Sequence, residues 1–515
     1  MNPASGHAGG QSANNPDGDG LLALLGKVCG SDNVLTGDDA ARYGRDWRGQ
    51  YISQPLAVVR PATTGQVSAV LQAASAANLA VIPMGGNTGL VGGTLAEGGL
   101  VVSLERMNKI RAIDVRGRSA TVDAGLIVAD LDTALAEHGL RFPLSFGAQG
   151  SAMIGGALST NAGGANVLAH GMSRALCLGL EVVMPDGQIL NDMSDLRKNN
   201  TGLDLKQLFI GAEGTLGIIT GAVLALMDRP VVHATAMIAL AGYEEGLTVL
   251  NRLRRANGVC VEAFEVMPRS YFQQMSRCAA AHASPLSGDP ALTVLAELAS
   301  SSPTDCAQGP DGTVPLTERL TTTLGDCLEE GLISDAVIAQ TGQQRSDMWR
   351  LRDIAPELSL GVRPVVAADV SVPVRLIGSF SSSLEEALAA ADADALVWMV
   401  GHLGDGNLHV VVSPTVKTPS NLARIRTIID TETVRHNGSF SAEHGIGVQK
   451  LTSMMAHKDP VALDLMRRIK TAFDPAGIMN PGKVIPTRST SGDAAAERHP
   501  EQQATPHPEK EIRKA

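Results

Sequence analysis

Aromatic residues are scarce in this 515-residue chain, at 3%. A core built on stacked rings is therefore excluded, and burial must lean on Ala, Val, Leu and Ile. The six cysteines, Cys29, Cys177, Cys260, Cys278, Cys306 and Cys327, are scattered without a C-x-x-C. That suits a reducing, cytoplasmic setting with thiols that are mostly structural. No apolar run reaches the roughly 18 residues of a membrane helix, so a transmembrane protein is not expected. The first twenty residues lack a basic start and an apolar core, and do not read as a secretory signal. Basic blocks are missing too. Lys and Arg total 42 against 53 Asp and Glu, a net charge of −11, which speaks against nucleic acid as a partner.

What is present is ordinary globular material, 44% hydrophobic and 18% charged, long enough for two or three domains. Polar, Gly- and Ala-rich residues 1–19 and the Ser-, Ala-, Glu- and Pro-rich residues 487–515 are expected to be disordered tails. Ala57-Val58-Val59 reads as a buried strand, and Thr63-Thr64 offers a helix N-cap. Val67, Val70, Leu71 and Ala74 then repeat at helical spacing, and Leu79 to Pro83 forms the next strand of a β-α-β unit. That strand runs into Met84-Gly85-Gly86-Asn87-Thr88-Gly89-Leu90-Val91-Gly92-Gly93. The spacing matches neither a Walker A loop nor a clean G-x-G-x-x-G. Two further glycine-rich segments follow, Ala148 to Gly164 and Gly211 to Thr220. Backbone free to take φ > 0 can turn its N–H groups on an anion. Three such loops in one region suggest an extended ligand carrying a pyrophosphate.

A different chemistry is written in Gly401-His402-Leu403-Gly404-Asp405-Gly406-Asn407-Leu408-His409, which lies between two apolar runs. Asp405-Gly406 signals a two-residue type I′ hairpin. That turn would set His402 opposite His409, with Cβ atoms roughly 5 Å apart on one face. Two imidazoles so placed could grip a divalent metal; the plain alternative is two histidines flanking a surface hairpin. Downstream, Ser441-Ala442-Glu443-His444-Gly445-Ile446-Gly447 offers Glu443 to complete a His2Glu set with an open position. Neighbours on a regular strand face opposite ways, so Glu443 and His444 can share a pocket only where the backbone is irregular.

In combination these motifs resemble the FAD-linked oxidoreductases of the vanillyl-alcohol oxidase and p-cresol methylhydroxylase type. Gly179 to Gly187 and Asn480-Pro481-Gly482-Lys483 carry the resemblance as well. Within that group the chain is similar to the D-2-hydroxyacid dehydrogenases, closest to D-2-hydroxyglutarate dehydrogenase. The resemblance implies an α+β fold. A two-subdomain FAD-binding part would span residues 20–228, an antiparallel-sheet substrate or cap domain residues 229–429, and a helical return to the flavin residues 430–486. It implies FAD held by Pro83, Gly85, Gly86, Asn87, Thr88, Gly89, Gly150, Ser151, Ile154, Gly155, Gly156, Asn161, Gly163, Gly164, Glu213, Gly214, Gly217, Ile218, Ile219 and Asn480. The first two loops hold no His for a covalent link, so the flavin is expected to be non-covalent. His444 matches the family's catalytic base, and His402, His409 and Glu443 its metal ligands. Arg352 matches an arginine that binds the substrate carboxylate, and Asn407 a polar contact near the substrate. A mixed nitrogen and oxygen set fits Zn²⁺ best, with Mn²⁺ or Fe²⁺ as alternatives.

The implied reaction is oxidation of a small D-2-hydroxy acid to the 2-keto acid. Electrons would leave to an electron-transfer flavoprotein, a quinone or a cytochrome, and a homodimer is one assembly the resemblance allows. D-lactate or glycolate dehydrogenase is the nearest alternative. The histidines and Glu443 alone would also allow a metal-dependent hydrolase, and the flavin loops alone a non-catalytic flavin-binding subunit. One departure stands out. Where close relatives carry a Lys before Asp-Val-Ser-Val-Pro, this chain has Ala367, so a weaker preference for D-2-hydroxyglutarate is expected. Met84 replaces a usual Gln at the rim of the first loop.

Overall fold

The computed structural model describes residues 16–257, 260–278, 284–310 and 312–487. A helix over Pro16–Cys29 begins inside the stretch expected to be disordered. Leu25 and Cys29 bury their side chains in the first core, with Leu21 and Leu22 packed against it, so composition understated this segment. The remaining tail expectations fall outside the described residues.

The β-α-β unit forms as the apolar spacing dictates: β1 (Ala57–Val59), α1 (Thr64–Ala76) and β2 (Val81–Met84). Thr63 caps α1 by accepting the N–H of Gln66, while Val67, Val70, Leu71 and Ala74 are buried beneath it. Strand β3 (Leu100–Ser103) lies between β1 and β2, parallel to both. A second, antiparallel sheet runs in the order β4-β5-β8-β6-β7. Its strands are β4 (Ile110–Asp114), β5 (Ser119–Asp123), β6 (Cys177–Val183), β7 (Ile189–Asp192) and β8 (Ile218–Ala225). The short α2 (Ile154–Ser159) stands between β5 and β6 in the chain. One aliphatic core joins these two sheets.

Past Asp228 the chain enters a seven-stranded antiparallel sheet, ordered β12-β9-β11-β10-β14-β15-β13. Its elements, in sequence, are β9 (Val232–Leu240), α3 (Tyr243–Asn257), β10 (Cys260–Pro268), β11 (Leu292–Ser300), α4 (Pro315–Glu329), β12 (Asp335–Ile338), α5 (Gly342–Asp353), β13 (Val366–Ser371), α6 (Ile377–Ala391), β14 (Leu396–His402), β15 (Asn407–Ser413) and α7 (Pro419–Arg435). The architecture is α+β. One face of this sheet supplies Ile238, Phe264, Val294, Met399 and Val410 to a core shared with Leu250, Leu320, Leu384 and Ile429 of α3, α4, α6 and α7. Part of the opposite face is closed by Tyr271, Met348 and Leu351 against Met237, Leu295 and Trp398. Its remaining polar residues border a cleft shared with the first half.

Two features bind the halves. After α8 (Leu451–His457) and α9 (Pro460–Phe473) the chain returns to the first core, where Val81 donates to Ile478 and Asn480 donates back to Val81. Arg141, from the first half, also donates to Glu262 on β10, with His170 3.5 Å away. Both partners are nearly excluded from water. Burial raises the Glu262 carboxyl, but His170 and Arg141 outweigh it and bring it down to about 2. Among the described residues no helix is long and apolar enough to cross a membrane. Removing one partner of a buried pair strands the other's charge, so Arg141→Met should cost about 3–5 kcal/mol of stability. Adding Glu262→Gln to the same chain should restore most of that loss, as read from thermal unfolding of the two variants.

Candidate active site

The hairpin does not turn where the Asp-Gly pair suggests. His402 lies opposite Asn407, and Val400 opposite His409. Gly406 takes φ +83°, but Asp405 does not have a positive φ, so a type I′ turn is not formed and the loop spans Leu403 to Gly406. The register is thereby displaced by two residues from the expected one. An even shift preserves the face of every side chain, so both histidines still point the same way. Their rings meet edge to face at 5.5 Å between centroids.

The same cross-strand logic recruits two acids. Glu265 on β10 sits opposite His402, and Asp369 on β13 sits opposite His409. Glu265, His402, His409 and Asp369 thus run across four strands on one face. Glu265 Oε1 lies 2.6 Å from His402 Nδ1, and its Oε2 accepts from Arg352 Nε at 2.9 Å. Arg352, in the last turn of α5, is thus aimed into the cleft, and its terminal nitrogens meet no hydrogen-bonding partner among the described residues. Asp369 Oδ2 accepts the peptide N–H groups of Ala442, Glu443 and His444 at 3.1, 2.8 and 2.9 Å.

That curl brings Glu443 and His444 to one pocket. His444 stacks on His409 at 5.8 Å, and Glu443 Oε1 lies 3.6 Å from His402 Nε2. The positive φ of Gly447, +50°, lets the chain pass so close that a Cβ there would fall 2.1 Å from the Val91 carbonyl oxygen. Glu213 fixes the far side of the curl, accepting the N–H groups of Ile446 and Gly447 at 2.6 and 2.9 Å.

Ligand atoms of His402, His409 and Glu443 all lie within 4.8 Å of one another, a donor set that fits a divalent cation. The electrostatics agree. Burial pushes Glu443 up to about 7, and the nearby Asp369, Asp405 and Glu265 add to this against His402. Burial disfavours charge on His402, but Glu265 and Glu443 raise the ring to about 9. A cation bound here would take the place of the protons that His402 and Glu443 otherwise hold, while Glu265 orients the His402 ring from behind. Burial holds His409 well below its ordinary value, so it is neutral and ready to ligate. Burial also brings His444 down to about 4; Asp369 opposes the shift, and Lys450, Arg48 and Arg426 deepen it. Burial works against ionisation of Asp369, yet His444, Lys450, His409 and the peptide N–H of Glu443 hold it well below the usual carboxylate range.

The facing wall of the cleft, about 2710 Å³ in volume, is made by the glycine-rich loops. A Cβ on Gly86 would lie 1.9 Å from the Ser151 carbonyl oxygen, so the first two loops touch through a position only glycine allows. The third loop closes on the second through Gly211 N–H to Leu158 O and Glu213 N–H to Ser159 O. The volume exceeds that of a usual small-ligand pocket and suits a dinucleotide beside a small acid. Of the residues expected to hold FAD, all but Gly150, Ile154, Asn161, Gly214 and Asn480 line it.

Gly150 is exposed, and the other four serve the frame. Ile154 is in the core, Asn161 Oδ1 accepts the N–H of Arg174, and Gly214 packs under Pro83. Asn480 donates to the carbonyls of Gly93 and Glu213. Asn407 does not line the cleft either, because its amide donates to Asp369 and the Val370 carbonyl. Sequence reasoning missed Glu265 and Asp369 as partners of the histidines. Their signal was an acid inside each of two buried apolar strands.

A family model for an FAD binding domain matches residues 55–192, and one for the C-terminal domain of FAD linked oxidases matches residues 229–484. The mitochondrial D-2-hydroxyglutarate dehydrogenase of Arabidopsis thaliana is 35% identical over 90% of this chain and 81% of its own. The D-2-hydroxyglutarate dehydrogenase of Xanthomonas citri pv. viticola is 35% identical over 87% of this chain and 93% of its own. Among solved structures, p-cresol methylhydroxylase with substrate bound superposes with a TM-score of 0.69 at 17% identity, covering 92% of this chain and 97% of that one. That last likeness bears on the fold alone. The chain is a member of the FAD-linked oxidases, in the family of FAD-dependent D-2-hydroxyacid dehydrogenases.

Proposed function

We propose that the cleft oxidises a D-2-hydroxy acid to its 2-keto acid. The observation that carries the reading is the convergence of Arg352, His444 and the His402–His409–Glu443 set on one cleft whose facing wall is the glycine-rich loops. When bound, FAD would take the hydride from C2, and a divalent cation on His402, His409 and Glu443 would polarise the substrate hydroxyl.

The chain's own residues do the rest. Arg352, held through Nε by Glu265, presents its terminal nitrogens to the C1 carboxylate as a planar fork. With the hydroxyl at His444 and the C2 hydrogen toward the flavin wall, that contact is the third point of attachment that selects the D configuration. His444 is unprotonated at neutral pH and accepts the hydroxyl proton as the C2 hydride leaves. Asp369, beside His444 Nδ1 at 3.8 Å, stabilises the imidazolium that results. Electrons then pass to an acceptor of the electron-transfer flavoprotein, quinone or cytochrome class. Ala367 adds no charge of its own to the cleft, which by itself favours D-lactate or glycolate as the alternative substrate.

The purified protein should be yellow and release free FAD on denaturation; a colourless protein that fails to bind added FAD would refute the assignment. Chelation should abolish turnover and leave the flavin in place, and Zn²⁺ or Mn²⁺ should restore it. His402→Ala should behave like the chelated enzyme, whereas full activity in a metal-free sample would remove the cation from the scheme. His444→Asn should slow flavin reduction by substrate about 10²-fold or more in single-turnover experiments, with FAD content unchanged.

A further inference from the structure

Beyond His444 the cleft is bordered by Arg48, Arg363, Arg426 and Lys450. These cations are poorly compensated. Nη1 of Arg426 and the ammonium of Lys450 are buried without a hydrogen-bonding partner among the described residues. The carboxylate nearest Lys450 is Asp369, 3.8 Å away and already shared with three peptide N–H groups. Asp430, one turn along α7, is a counter-charge to Arg426; its Oδ2 is engaged by Ser453, and its Oδ1 is buried without a hydrogen-bonding partner among the described residues. Burial and the like charge of Arg363 hold Arg48 below its ordinary value, and burial does the same to Arg426. Buried and half-buried cations that share so few carboxylates are costly unless a further anion arrives.

The place of that anion follows from β13. Ala367 lies opposite Val411, two residues from Asp369 and therefore on the same face, about 7 Å along the strand. β13 is an edge strand, and across its free edge Arg426 donates through Nη2 to the Ala367 carbonyl. The alanine leaves room on the cleft side, and the guanidinium beside it keeps one nitrogen unspent. We infer that the second anionic group of a D-2-hydroxy dicarboxylate is received here, with Arg426 as the specificity-determining residue that meets the distal carboxylate. This assignment rests on the D-2-hydroxyacid reading above and narrows it. It also reverses the expectation drawn from Ala367 alone, since the positive charge missing from the strand is supplied by the adjoining helix.

The test compares kcat/KM for D-2-hydroxyglutarate with that for D-2-hydroxyvalerate, which lacks the distal charge. The wild type should favour the dicarboxylate at least about tenfold, and Arg426→Gln should lower that ratio by about ten- to a hundredfold, chiefly through KM. Arg426→Lys, which keeps the charge, should retain most of the preference. In the wild type, glutarate should inhibit D-2-hydroxyvalerate oxidation at least about tenfold more tightly than valerate does. An unchanged ratio in folded, FAD-loaded Arg426→Gln, or equal inhibition by glutarate and valerate, overturns the assignment. Loss of FAD from the variant would assign the cation to the cofactor's phosphates and overturn it too. A wild type that oxidises neither acid would instead sink the functional reading on which it stands.

Discussion

The carboxylate of Asp369 is the point from which the loop that carries Glu443 and His444 hangs. Three successive peptide N–H groups converge on one of its oxygens, and the Asn407 amide takes the other. A buried carboxylate is stable only with such a complement of donors, and the donors can reach it only if the chain curls. The curl breaks the alternation of an extended strand, which is why the adjacent Glu443 and His444 face one cleft. The same carboxylate stands behind His409 and His444 at 3.7 and 3.8 Å, so one buried charge both shapes the loop and sets the field on two imidazoles.

The field across the cleft is graded. On one side Glu265, Asp405 and Glu443 gather acidic groups around His402, where a cation would relieve their mutual repulsion. On the other, arginines and Lys450 accumulate positive charge next to His444. A substrate that carries an alkoxide-forming hydroxyl at one end and a carboxylate at the other fits both needs. Neither half of the molecule could build this gradient alone. Arg48 and the flavin loops belong to the first half, the histidines to the large sheet, and His444 to the segment that bridges them.

Much of this was legible in the sequence, for physical reasons that differ from place to place. The β-α-β unit declared itself because Val67, Val70, Leu71 and Ala74 follow the helical period and Thr63 caps them. The two histidines could be placed on one face even though the turn was misjudged, because the period of a strand is two and the error was even. The role of Asn407 was not legible. It lies in the same motif as His402 and His409, yet spends its amide on the backbone and on Asp369. Glu265 and Arg426 escaped for another reason, as each meets its partner across a large separation in sequence. Arg426 is 59 residues from the Ala367 carbonyl it holds, and only a folded sheet edge brings them together.

The pairing of Val81 with Ile478 and Asn480 has a consequence for how the chain is made. β2 is the outermost strand of its sheet, and its free edge is covered by backbone that lies about 400 residues downstream. During synthesis the first half therefore emerges without Ile478 and Met479 of its core and open along one strand, with unpaired N–H and C=O groups facing water. Such an edge is a template for pairing with other chains, and it stays open until almost the last described residue has been added. The carboxyl-terminal segment thus closes the sheet that carries β2, and a chain cut short before Ile478 would leave that edge available for aggregation.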